Sequence, residues 1–108
     1  MATMASFKTA WNQREVRIDV PVAANLKVGQ VCTLTSGKLT ARTDTTKAAG
    51  DYIIAQSDMT MGKTRFIDPV SGHDYEHKYS DVVKASTSAK AVMVFVVTDV
   101  NDVDYRTV

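Results

Sequence analysis

Side chains that branch at Cβ dominate this sequence and constrain its fold more than any other feature. Val, Ile and Thr supply 15, 4 and 13 of the 108 residues, whereas Leu supplies only 3. Branching at Cβ restricts χ1 and suits the pleated surface of a sheet, while Leu is favoured in helices. The composition therefore predicts an all-β fold, and the length allows one domain with a single modest core.

Two segments show the strand pattern most clearly. In residues 15–22, apolar Val16, Ile18 and Val20 alternate with charged side chains, which is typical of a strand with one solvated face. In residues 90–98 both alternate sets are apolar, which predicts a strand buried on both faces. Shorter β-rich runs predict further strands at residues 30–35, 38–43, 51–56 and 64–68. The pattern favours a small β-barrel, β-tulip or sandwich of six or seven strands, with no helix and a long polar loop at residues 68–80.

Residues 1–13 lack any sustained period and are predicted to form an extended N-terminal arm outside a β domain of residues 14–108. This arm carries Phe7 and Trp11, large aromatic side chains that provide much contact area from few residues. We interpret both as partner-contact residues, the alternative being a frayed terminus. The arm is then expected to serve assembly rather than the stability of the isolated domain.

Charge and cysteine content exclude several classes of partner. The net charge of +1 provides no long-range field that would attract nucleic acid or an anionic membrane. No apolar run approaches the length of a membrane span, and no secretion signal is recognised at the N-terminus. The single cysteine, Cys32, excludes an intrachain disulfide. We therefore expect a chain held together by packing, without a nucleic-acid or membrane partner.

Three features could carry chemistry, and for each a structural interpretation is favoured. Residues 62–64 (GKT) match the end of a phosphate-binding loop, but the first glycine of that motif and the following helix are missing. His73 and His77 are four residues apart, as in some metal sites, but lie in the polar segment expected to be a solvated loop. Cys32 lies within a predicted strand with no histidine nearby in sequence. The sequence therefore predicts no enzyme, no catalytic residue, no metal and no cofactor.

A longer pattern covers about a third of the chain, residues 26–56. It contains L-x-x-G-x-V at residues 26–31, G-x-L at residues 37–39 and the strand Tyr-Ile-Ile-Ala at residues 52–55. This pattern resembles the small capsid decoration (cement) proteins of tailed bacteriophages, in which such turns lead into a strand of the I-G-I-A type. In this chain Ile53 or Ile54 stands where that family has glycine.

The resemblance implies a virion structural protein, made in the host cytoplasm and located on the capsid surface. It implies a small β-barrel or β-tulip body, a homo-oligomer that is often a trimer, which joins neighbouring subunits of the major capsid protein. The arm of residues 1–13 would add a strand to a free sheet edge of a neighbour. Two alternatives remain: a head–tail connector or tail-tube structural protein, and a small β-barrel module that binds a ligand.

Overall fold

A ring of five strands forms the centre of the computed structural model, which describes residues 2–10, 12–56, 64–67, 70–72, 74–77 and 82–108. In chain order the described elements are β1 (Thr3–Ala5), α1 (Phe7–Ala10), β2 (Arg14–Val22), β3 (Leu26–Lys27), β4 (Val31–Thr35), β5 (Lys38–Ala41), β6 (Tyr52–Gln56), β7 (Thr64–Ile67), β8 (Asp74–His77), β9 (Val82–Val83), β10 (Ser86–Val96), a 3-10 turn (Val100–Asp102) and β11 (Tyr105–Thr107). The all-β class predicted from composition is confirmed. The one-turn helix α1 was not predicted, because a single turn is too short to show a 3.6-residue period.

The five ring strands follow the order β10–β2–β5–β4–β6, and β6 pairs again with β10, so the pairings close a barrel. Every pairing in the ring is antiparallel except that of β2 with β5. This parallel seam is short: Val22 lies opposite Leu39, and the Ala23 amide donates to the Leu39 carbonyl at 3.0 Å. Most of β2 therefore has only β10 as a sheet neighbour within the described part of the chain.

The six predicted strands correspond to β2, β4, β5, β6, β7 and β10, with ends that differ by a few residues. The loop predicted at residues 68–80 is corrected in part, because Asp74–His77 forms β8 and pairs antiparallel with β7. The polar sequence of β8 lacks the β-branched residues that mark a strand, so its pairing partner decides its conformation. The 11-residue strand β10 begins at Ser86, four residues before the predicted strand at residues 90–98.

Two hydrophobic cores lie on opposite faces of the barrel wall. The first, the barrel core, takes side chains from all five ring strands and one each from β3 and β9: Val22, Leu26, Cys32, Leu39, Ile54, Val83, Val92 and Val94. The second, the terminal core, joins β4, β6 and β10 to the two ends of the chain: Ala5, Ala10, Val31, Ile53, Ala55, Phe95, Val97 and Val103. Neighbouring residues such as Ile53 and Ile54 serve different cores, which explains why these strands are apolar on both faces.

The N-terminal segment packs into the body, which differs from the extended arm predicted for residues 1–13. β1 pairs antiparallel with β11, and its three residues are buried. Ala5 and Ala10 are fully buried members of the terminal core. A three-residue strand that is buried throughout has no solvated face, so the segment shows no alternation although it is ordered. The predicted boundary after residue 13 coincides with the start of β2, but the preceding residues share a core with the barrel.

Candidate functional site: the N-terminal segment and the open edge of β2

Backbone hydrogen bonds fix the N-terminal segment to the C-terminal end of the chain. Ala2 and Val108 exchange two bonds, from the Ala2 amide at 2.9 Å and from the Val108 amide at 2.8 Å. Further along, the Ser6 amide donates to the Asp104 carbonyl at 3.0 Å, immediately before α1 begins. The Thr3 hydroxyl donates to the Asp44 carbonyl at 2.9 Å. The segment is therefore held along its length, and α1 starts from a fixed position.

Gln13 fixes the other end of the segment through its buried side-chain amide. Its Oε1 accepts from the Thr98 amide at 2.8 Å, the Asp99 amide at 3.0 Å and the Thr98 hydroxyl at 3.2 Å. Its Nε2 donates to the Asp99 carbonyl at 3.1 Å. One side chain thus satisfies backbone groups of the turn that follows β10, and joins that turn to the start of β2. Sequence analysis missed this role, because a glutamine in an aperiodic segment gives no signal of it.

The predicted contact residues Phe7 and Trp11 belong to this fixed segment. Phe7 is the first residue of α1, whose Ala10 amide donates to the Ser6 carbonyl at 2.8 Å. The side chain of Phe7 and the whole of Trp11 lie outside the described residues. Of the two neighbours of Trp11 along the chain, Ala10 is buried and Asn12 is exposed. The assignment of Phe7 and Trp11 as partner contacts stays a prediction.

β2 has one backbone edge that faces away from β10. The amide of Ala23, the residue after β2, donates to β5 and so points away from β10. Because alternate residues of a strand direct their N–H and C=O groups to the same edge, the odd-numbered residues of β2 direct theirs to this outer edge. Within the described ranges, no backbone group is paired with those of Glu15, Arg17 or Asp19. Their side chains are exposed, and Arg17 Nη2 lies 3.1 Å from Asp19 Oδ1. We call residues 15–20 with these outward groups the open edge.

A polar cluster around the buried carboxylate of Asp51 lies at the start of β6, where the barrel meets the C-terminal strand. Asp51 Oδ2 accepts from Arg42 Nη1 at 2.6 Å, from the Tyr105 hydroxyl at 2.8 Å and from the Ala48 amide at 3.1 Å. Arg42 Nη2 also donates to Asp44 Oδ1 at 2.7 Å. Arg42 and Ala48 belong to the loop after β5 and Tyr105 belongs to β11, so the cluster joins that loop and β11 to the barrel. Sequence analysis treated Asp51 only as the start of a strand.

Burial and the Asp51 carboxylate raise the pKa of two groups, the Tyr105 hydroxyl in this cluster and the Cys32 thiol in the barrel core. Burial, followed by the hydrogen bond to Asp51 and its charge, raises the pKa of the Tyr105 hydroxyl, although the nearby Arg42 charge lowers it. The Tyr105 hydroxyl therefore stays protonated and acts as a donor. Burial, with a further contribution from the Asp51 charge, raises the pKa of the Cys32 thiol to about 12. A buried neutral thiol is a poor nucleophile, in agreement with the interpretation of Cys32 as a core residue.

The remaining sequence features lie mostly beyond the described residues. Positions 62 and 63 of the GKT segment, His73 and the side chain of His77 are outside them. Among the side chains that the structure describes, no group of three or more His, Cys, Asp or Glu residues is placed to hold a metal ion. Over the same ranges, no helix has the length and apolar character needed to cross a membrane.

Comparison of the chain with protein-family models, with curated proteins and with solved structures gives no significant match. The function is therefore inferred from the residues and from the fold.

Proposed function

We propose that this protein is a virion structural protein, a capsid decoration protein that binds the outer capsid surface and joins major capsid subunits. The observation that carries the proposal is the placement of residues 26–56, the segment that resembles that family. These residues form β3, β4, β5 and β6, and so supply three of the five barrel strands. The resemblance therefore concerns the structural centre of the fold rather than a peripheral loop.

The positions that define the resemblance have physical roles that suit their residue types. Gly29 and Gly37 have φ values of 92° and 77°, in the left-handed region that glycine enters at little cost. Leu26 and Leu39 are buried in the barrel core. Ile53 and Ile54, one of which stands where the family pattern has glycine, are fully buried and belong to the two different cores. The departure from the pattern thus adds packed volume and leaves the turn glycines unchanged.

Contact, rather than enclosure of a ligand, is the activity that this barrel supports best. Its core is filled by side chains from every ring strand, as expected of a five-stranded barrel too narrow for a lumen. The fixed N-terminal segment presents α1 in one position, so a partner that binds there would not have to order a free arm. This preorganisation replaces the role first expected for an extended arm.

Co-sedimentation with capsids tests the proposal. The purified chain is mixed with expanded and unexpanded capsids of the bacteriophage that encodes it, and the pelleted fraction is measured. We expect binding to expanded capsids, weakened by Trp11→Ala and unchanged by the control Asn12→Ala, since Asn12 is an exposed neighbour in the same segment. Failure to pellet with either capsid form would contradict the proposal. Binding to the head–tail junction or the tail alone would favour a connector or tail-tube protein instead.

A further inference from the structure

We propose that the open edge of β2 pairs with the same edge of a second copy of this chain, in an antiparallel register that places Ile18 opposite its own copy. The result is a two-fold dimer with one sheet continuous through both subunits. This inference goes beyond the capsid proposal and does not depend on it. It rests on three properties of β2: outward backbone groups that have no partner in the described part of the chain, a centred charge pattern and half-buried apolar side chains.

The direction of the free backbone groups is fixed by hydrogen bonds on both sides of the β2–β10 pair. In β10, the Val97 amide donates to the Asp51 carbonyl at 2.9 Å, so the odd-numbered residues of β10 face β6. The even-numbered residues of β10 then face β2, and Val94 and Val92 lie opposite Val16 and Ile18. The backbone N–H and C=O groups of the even-numbered residues of β2 therefore bond to β10. Those of the odd-numbered residues point to the outer edge, which the hydrogen bond of the parallel seam with β5 indicates independently.

The charge pattern selects one register among those that the backbone allows. The strand Arg14–Val22 is centred on Ile18. Full overlap of two antiparallel copies therefore puts Arg17 of each copy opposite Asp19 of the other. Both residues belong to the odd-numbered set, so the same two pairs also exchange backbone hydrogen bonds. A shift of two residues toward the N-terminus puts Arg17 opposite Arg17 and Glu15 opposite Asp19, which are like-charge pairs. Opposite charges directly across a strand pair stabilise it, and like charges destabilise it.

The apolar face of β2 agrees with the same register. Val16, Ile18 and Val20 are half-buried and pack at the margin of the barrel core. With Ile18 opposite itself, Val16 lies opposite Val20 of the second copy, so each half-buried side chain meets an apolar partner and loses contact with water. Beyond Val20 the edge is limited by Pro21, which has no amide hydrogen, and by β5. These limits confine pairing to one closed two-fold contact and prevent open-ended edge association.

Sedimentation equilibrium over a range of concentrations tests the proposal, with charge reversals at the two paired positions. We expect a reversible dimer. Each single variant, Arg17→Asp or Asp19→Arg, should raise the dimer dissociation constant by about tenfold, because two attractive pairs become repulsive. The double variant Arg17→Asp with Asp19→Arg restores opposite charges in the same register and should recover the affinity. Lys38→Asp is the matched control: it makes the same change of charge at an exposed position of β5 and should leave the dimer unchanged.

Three results would overturn the inference. One is a wild-type chain that stays monomeric at the highest concentration reached. Another is a dimer that neither single reversal weakens. The third is a double variant that remains as weak as the single variants, which would show that Arg17 and Asp19 do not face each other across the contact. Because both side chains are exposed, unchanged circular dichroism of each variant is expected and separates lost pairing from lost folding.

Discussion

β10 and β2 are the two longest strands and lie side by side, yet their surroundings differ. β10 has sheet neighbours on both edges, β2 and β6, and supplies buried residues to both cores. Along most of its length β2 has, among the described residues, a neighbour on one edge only, and it has an exposed charged face. The barrel therefore depends on β10 for its stability and leaves β2 available for contact, so substitutions in the two strands should have separate consequences.

The largest expected effect is in β10. Val94→Asp should abolish folding, because Val94 is fully buried in the barrel core and an unpaired carboxylate there costs several kcal/mol against a total stability on the order of 5–15 kcal/mol. Ala89→Asp is the matched control in the same strand, since Ala89 is exposed. Thermal unfolding followed by circular dichroism measures both. Equal melting temperatures for the two variants would show that β10 does not carry the core.

The second expected effect concerns the cluster at the junction of β6 and β10. Asp51→Asn should lower the free energy of unfolding by roughly 3–5 kcal/mol, because the partly buried Arg42 guanidinium loses the buried one of its two carboxylate partners. Asp44→Asn should cost less than about 1 kcal/mol, because the Asp44 side chain is 59% exposed in its pair with Arg42. Urea unfolding of both variants provides the comparison. Similar losses of unfolding free energy in the two variants would show that the buried Asp51 pair stabilises the fold no more than the exposed Asp44 pair.

The third prediction is a loss of stability at alkaline pH through Cys32. The unfolded thiol loses its proton near pH 9, whereas the buried thiol keeps it until about pH 12. Between these values the unfolded state binds fewer protons, so stability is complete below pH 9 and falls as the pH rises. Between pH 8 and about 10.5 the loss from this group should be about 2 kcal/mol.

The Cys32→Ala variant isolates that contribution. Its free energy of unfolding should fall less steeply over the same pH range, whatever its value at pH 8. The free energy of unfolding is measured by urea unfolding at each pH. If it depends on pH identically in the variant and the wild type, the burial of Cys32 is contradicted.

The fourth prediction tests the joint between the two strands. Gln13→Ala should lower the free energy of unfolding by about 1–2 kcal/mol, because the amides of Thr98 and Asp99 lose their acceptor at the end of β10. Asn12→Ala, at an exposed neighbouring position, should be neutral. Chemical denaturation measures the difference. An unchanged free energy of unfolding in Gln13→Ala would show that the Gln13 side chain does not stabilise the contact between the turn after β10 and the start of β2.

The sequence predicts the barrel strands well because their signals are local. The alternation of β2 and the continuous apolar run of β10 each follow from burial of one face or of two. The packing of the N-terminal segment could not be predicted, because it depends on distant partners such as the Asp104 carbonyl and the Thr98 amide. The Asp51 cluster escapes sequence reasoning for the same reason: Tyr105 is 54 positions away along the chain.

Amide hydrogen exchange along β2, measured residue by residue by nuclear magnetic resonance, tests most directly whether this strand has one paired edge and one open edge. At a concentration where the chain is monomeric, the amides of Val16 and Ile18 should exchange slowly, because β10 accepts their hydrogen bonds. The amides of Arg17 and Asp19 should exchange fast. Slow exchange at all four positions under these conditions would show that the chain itself covers the outer edge, and would contradict the account.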